Sequence, residues 1–288
     1  MEVIDRISPA QSAQVRSINE VLRDGYRFEF GEAFSRIFTY FADAWALCLA
    51  HVVITAVAYV PGSVVASLAM FGLARPDDSG RFQDPMQVVT MMLYVYGLTG
   101  LYVLLVVWPM RAGHWVYFNR RFIEGSADFS AFFAVFGRKY LPFVALSFLV
   151  MLLTFVWTIV PASLYFETFV YSIDSRSAHL PSAMLQPILL ILLGYIPTLF
   201  FAVSLSLSFP LLLFHTNSPM EAITASMRLM WRKWFLFFAL FLIMYVLAMA
   251  GVIAFCIGVL VTNLFLPMAT FAIYEQLFVV RTAPEAFS

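Results

Sequence analysis

Charge is what this chain has least of. Acidic and basic residues together make up 12% of its 288 positions, 17 of each sign, and the mean hydropathy is +0.87. Soluble domains carry about 25% charged residues, so a chain of this length has too little charge to cover a water-facing surface. The formal net charge of +0 gives no basic footprint for nucleic acid. Cysteine is also scarce: Cys48 and Cys256 both lie in apolar stretches, where a thiol behaves as a small hydrophobe, and they supply no disulfide framework. The sequence contains no HxxxH, HxxE or CxxC pair, and a metal site needs three or four converging ligands. Neither a G-x-S-x-G elbow, a glycine-rich phosphate loop nor paired carboxylates within an apolar stretch occurs, which removes support for acyl or phosphoryl chemistry. Nothing calls for a cofactor, and we do not read the chain as an enzyme.

Apolar residues are what it has in abundance: 62% of the chain is hydrophobic, with 31 Phe, 13 Tyr and 6 Trp. A helix needs about 20 apolar residues to cross a bilayer. Candidate spans run from Ala44 to Ala74 (interrupted by Pro61-Gly62), Val88 to Met110, Leu141 to Phe166, and Pro187 to Phe214. From Trp234 to Val280 no charge appears before Glu275. That length is too great for one tilted span, so a division near Cys256-Ile257-Gly258 gives spans five and six. The expected fold is an all-α membrane protein with six transmembrane helices.

Basic residues orient it. Fourteen Lys and Arg fall in the tail through Arg36, the segment from Arg111 to Lys139, the segment from Arg228 to Lys233, and at Arg281; only Arg75, Arg81 and Arg176 lie in the opposite loops. Positive segments resist translocation, so both termini are expected in the cytoplasm and the protein in a cytoplasmic (inner) membrane. Residues 1–27 lack the basic, apolar and small-residue regions of a secretory signal. We read them as a cytoplasmic tail, partly helical from Ala13 to Arg23, and 281–288 as a second short tail.

The intervening 28–280 reads as one domain of three repeats, at about 28–118, 126–215 and 218–280. Each opens with an amphipathic stretch: GEAFSRIFTYFADAW from Gly31, SADFSAFFAVFGRKY from Ser126, and MEAITASMRLMWRKW from Met220. Their apolar stripes are Phe30, Ala33, Phe34, Ile37, Phe38, Phe41 and Trp45; then Phe129, Phe132, Phe133, Phe136 and Tyr140; then Met220, Ile223, Met227, Met230 and Trp234. This helical spacing predicts interfacial helices with their apolar faces in lipid, or else cytoplasmic extensions of the spans. Ser218-Pro219-Met220-Glu221 has the residues of a helix start. A transmembrane hairpin follows each stretch, with a kinking proline near the end of its second helix at Pro109, Pro210 and Pro267.

Three segments carry a family resemblance: FEFGEAFSRIFTYFADAW, SPMEAITASMRLMWRKW and FCIGVLVTNLFLPMATFAIYEQL. Over residues 28 to 280 the chain resembles the bacterial six-helix membrane domain that precedes some glycerophosphodiester phosphodiesterase domains, and its stand-alone relatives. The resemblance implies a six-helix fold in a bacterial membrane and no defined activity for that domain. With the sequence running only eight residues past the expected sixth helix, the soluble phosphodiesterase domain and its metal-binding carboxylates are expected to be absent.

Few polar residues remain as site candidates. In the repeat register Asp43 occupies the position of Arg138 and Arg232, so the expectation is an ion pair of Asp43 with one or both arginines across repeats, or else a solvated aspartate on an interfacial helix. His114 and His215 each follow their repeat's proline by five residues, and with Arg111, Lys139 and Lys233 are expected to contact headgroups or the interface. Glu275 reads as a further interface residue. The function expected is a non-catalytic scaffold or accessory subunit, with membrane lipids and another membrane or cytoplasmic protein as partners. The alternative is a transporter or lipid-handling protein with its substrate between parallel repeats.

Overall fold

A computed structural model describes residues 13–73, 85–174, 180–253 and 264–281. The chain is almost wholly helical. A short strand β1 (Ala13–Val15) and helix α1 (Ile18–Asp24) lead into α2 (Phe30–Leu73), α3 (Pro85–Tyr102), a π-helical turn (Val103–Val107) and α4 (Trp108–Phe122). A 3-10 helix (Phe129–Phe136) then precedes α5 (Tyr140–Asp174), α6 (Leu180–Leu205), α7 (Ser208–Phe214), α8 (Pro219–Trp231) and α9 (Trp234–Ile253). Helix α10 (Phe265–Phe278) and strand β2 (Val279–Arg281) complete the described chain. Among the described residues, four stretches are long and apolar enough to cross a membrane: Phe30–Ala69, Tyr94–Phe122, Tyr140–Trp157 and Ile188–Phe214. The pair α8–α9, bent by 97°, makes a fifth candidate. These features fit an all-α, multi-pass membrane protein. The division expected at Cys256-Ile257-Gly258 lies outside the described residues.

The prolines act where the local chemistry predicts. Proline cannot donate to the carbonyl four residues back. Before Pro109 the helix widens into the π turn, and before Pro210 it breaks at Ser206–Leu207. Pro267 sits in the first turn of α10, where no intrahelical donor is required. Pro61, by contrast, does not interrupt α2.

The three amphipathic stretches fold differently from one another. The first is the unbroken start of α2, an extension of the span and not a separate interfacial helix. The second is the 3-10 helix. The third is α8, capped by Ser218, whose hydroxyl accepts from the Glu221 amide, with Pro219 in the first turn. Glu221 does not close a capping box; its carboxylate instead accepts from the Thr216 hydroxyl. The apolar face of α8 is also not turned to lipid as expected: Ile223, Leu229 and Met230 are buried by protein, and only Met220 and Trp231 stand well exposed.

The chain divides into two compact units. One comprises Ala56–Trp108 and Ser147–Ala202. It has few buried side chains, and Leu98, Leu192, Leu193 and Ile196 on its helices are more exposed than covered, an apolar surface larger than water tolerates. Within it the Tyr102 hydroxyl reaches the Ala58 carbonyl at 2.8 Å.

The other unit comprises Met1–Thr55, Pro109–Leu146 and Val203–Ser288, and it holds the core. Along α2 a single face is buried: Ala33, Ile37, Tyr40, Ala44, Cys48 and His51, a spacing of three and four residues. The two ends of the described chain meet here. Strands β1 and β2 pair antiparallel, Ala13 opposite Arg281 and Val15 opposite Val279, where a helix from Ala13 had been expected; the helix starts only at Ile18, behind a capping box of Ser17 and Glu20. The side-chain amide of Gln276 bonds both backbone groups of Glu29, at 3.1 and 3.2 Å. Glu275 is fully buried rather than interfacial, and its carboxylate meets Arg36 of α2 at 2.8 Å. The same guanidinium holds Glu32 at 2.6 Å.

Removing the cation alone would strand the Glu275 carboxylate. Arg36→Leu is expected to cost roughly 2–3 kcal/mol, near the low end for a broken buried pair because Arg36 keeps some contact with water. Adding Glu275→Gln should recover most of that loss. Thermal unfolding of the purified single and double variants measures both.

Candidate functional site

The most enclosed polar cluster lies in the core unit, where α2 and α4 run antiparallel. His51 Nδ1 stands 3.3 Å from His114 Nε2, and both rings are buried. The pairing continues along the helices with Asp43 against Arg121 and with Tyr40 against Phe122, ring centroids 4.4 Å apart. As the numbers fall along α2 they rise along α4, as an antiparallel hairpin requires. His114 Nδ1 is 3.0 Å from the Arg111 carbonyl, which can only accept, so Nδ1 carries the proton. Nε2 of His114 then accepts from His51 Nδ1. This leaves His51 Nε2 as a bare, buried lone pair with no hydrogen-bond partner.

Phe132 closes the cluster. Its ring lies nearly parallel to His51 (4.3 Å, 13°) and to Tyr117 (4.5 Å, 9°). The 3-10 segment can approach α4 this closely because position 113 is glycine: a Cβ there would run into the backbone of Phe132. A long 3-10 run is uncommon; here it is held down by Ala131, Phe132 and Val135, all buried.

A second cluster surrounds His215. Its Nε2 lies 3.1 Å from the Tyr274 hydroxyl, and its ring packs on Phe278 at 4.6 Å. Lys139 donates to the carbonyls of Leu212 and Thr216 at 2.9 and 2.8 Å. It therefore caps the C-terminal end of α7, where the helix leaves acceptors unsatisfied. Burial pulls His215 down to about 4, with the Lys139 charge acting in the same direction.

The residues singled out in the sequence separate accordingly. The ion pair expected of Asp43 with Arg138 or Arg232 is not formed, because Arg121 takes the Asp43 carboxylate at 2.7 and 2.9 Å. Arg232 instead donates to the Leu22 carbonyl at 2.9 Å, and Arg138 is exposed. Lys233 lies over the Tyr26 ring, 5.7 Å from its centroid. Arg111 is exposed, and its contribution to the cluster is the backbone carbonyl. His114 and Lys139 make protein contacts. The repeat register missed the partnership of His51 with His114, and of Asp43 with Arg121. The available signal was simpler: the members of each pair stand at similar distances from the loop between the first two apolar stretches. Among the described residues no three His, Cys, Asp or Glu side chains converge as a metal site. Comparisons with protein-family models, curated proteins and solved structures find no match.

Gly113→Ala should force the 3-10 segment off α4 and destabilise the protein by about 1–3 kcal/mol or more, seen as a lower unfolding temperature. His215 contributes a pH dependence whose sign is fixed by its neutral burial. Above its unfolded value of about 6.5 the contribution is present in full. As the pH falls from there toward 4, the unfolded chain takes up a proton that the fold excludes, and stability declines. A pH series of unfolding temperatures should be flatter over that window in His215→Gln.

Proposed function

We propose that the chain is a non-catalytic membrane scaffold or accessory subunit. In this reading it has six crossings, three hairpin repeats, both ends in the cytoplasm of a bacterial cell, and kinship with the six-helix membrane domain it resembles. One observation carries the reading. Several polar side chains of the core unit that could do chemistry instead hold elements together: His51 bonds His114, His215 bonds Tyr274, Lys139 caps the end of α7, and Arg36 meets Glu275. A fold that fixes its polar groups in this way suits a rigid platform for a membrane or cytoplasmic protein. The crossing number draws support from β1 and β2. Residues 13–15 and 279–281 are hydrogen-bonded neighbours, so an even number of crossings separates them. The excess of basic residues on one side argues for the cytoplasm. The irregularity before Pro109 and before Pro210 favours related hairpins.

A fluorescent protein fused to the C-terminus should light up in the cytoplasm, and a periplasm-dependent phosphatase at the same place should stay inactive; the opposite pair of results overturns the topology. Purification in mild detergent should bring down one protein at a fixed ratio. Recovery of the chain with lipid alone would favour the lipid-handling alternative.

A further inference from the structure

We propose that a pocket at the corner between α8 and α9 binds the phosphodiester headgroup of an anionic phospholipid. The pocket has a volume of ≈ 580 Å³ and is lined by Leu22, Ser204, Met227, Arg228, Trp231 and Arg232. That volume falls within the roughly 300–1,000 Å³ common for small-ligand sites. It is separate from both histidine clusters, and its occupancy does not depend on a protein partner.

The arginines supply the first argument. Arg228 and Arg232 are one helical turn apart, where like charges repel. Among the described residues neither is ion-paired, whereas Arg23, Arg27, Arg36 and Arg121 each have a carboxylate. The carbonyl end of α8 favours a cation nearby, but it does not require two cations lining one cavity. Arg232 is held in place through its bond to the Leu22 carbonyl.

Ser204 supplies the second. It is 1% exposed, and its hydroxyl has no hydrogen-bond partner. Its own carbonyl is engaged by the Ser226 hydroxyl at 2.7 Å, which fixes the backbone at that point. Ser204 lines the cavity beside two guanidinium groups that have no carboxylate among the described residues, its hydroxyl lacks an acceptor, and a phosphate oxygen provides one.

The remaining wall identifies the source of the phosphate. Leu22, Met227 and Trp231 are of no use to a free inorganic anion but fit a ligand with an apolar portion. Directly after the arginines the chain turns through 97° into α9, which has no charged residue. Phe235 and Trp231 at the corner are 81% and 67% exposed. Tryptophan sits well at headgroup level, so the cavity stands where a headgroup meets its acyl chains.

The test uses the full chain, purified in detergent and stripped of lipid, with binding read by native mass spectrometry. The probes are dioleoyl-phosphatidylglycerol, dioleoyl-phosphatidylcholine and inorganic phosphate. One phosphatidylglycerol should bind about 10-fold or more tightly than phosphatidylcholine, and Arg228→Gln with Arg232→Gln should reduce that affinity by about 10- to 30-fold. Ser204→Ala should weaken it several-fold. Because Arg232 also holds Leu22, Arg228→Gln alone, at an exposed position, serves as the second variant and should lower affinity by itself. Equal binding of the two lipids, or unchanged affinity in Arg228→Gln, overturns the assignment. So does displacement of the lipid by inorganic phosphate at equal concentration, which would mark a soluble-anion site.

Discussion

A carboxylate cut off from water needs a cation, and Glu275 has Arg36. Because one lies near the start of α2 and the other near the end of α10, this pair joins the two extremities of the described chain. The Gln276 amide, the strand pair and the capping of α1 gather around it, each satisfying backbone groups that would otherwise be orphaned. The core unit is therefore fastened by polar contacts at its margin and filled by aromatic rings within. The helices themselves need only satisfy their own backbones, which an apolar environment demands in any case.

The spans were legible because hydropathy is a local property. Four of the apolar stretches read from the sequence coincide with helices long enough to cross a bilayer, and Ser218 caps α8 as its sequence suggests. Side-chain partnerships were less legible. A repeat register compares positions that resemble each other, but resemblance does not place them in contact. Asp43 aligned with Arg138 and Arg232 and yet met Arg121, since the buried face of α2 turns its neighbours toward α4. Glu275 looked like a rim residue because glutamate usually is one, and nothing near it in sequence announced Arg36. The fate of the amphipathic stretches was equally hidden. An apolar stripe shows that a face will be covered, without showing whether lipid or protein covers it.

Glycine and proline divide the labour of bending and closing. Pro109 and Pro210 mark where a helix widens and where one restarts. Gly113 lets backbone approach backbone, and on that approach rests the stacking of Phe132 against His51 and Tyr117. The histidine pair is thus a product of a missing methyl group on α4 as much as of the histidines themselves.

The long separation between Arg36 and Glu275 has a consequence for biogenesis. As the chain leaves the ribosome, α4 follows α2 long before α10 is made, so the pairing of His51 with His114 can form first. Throughout that period Arg36 has Glu32 alone for company, and the groove awaiting α10 stands open. Insertion of α10 both fills that groove and neutralises the waiting guanidinium, so the core becomes complete only after α10 has been made.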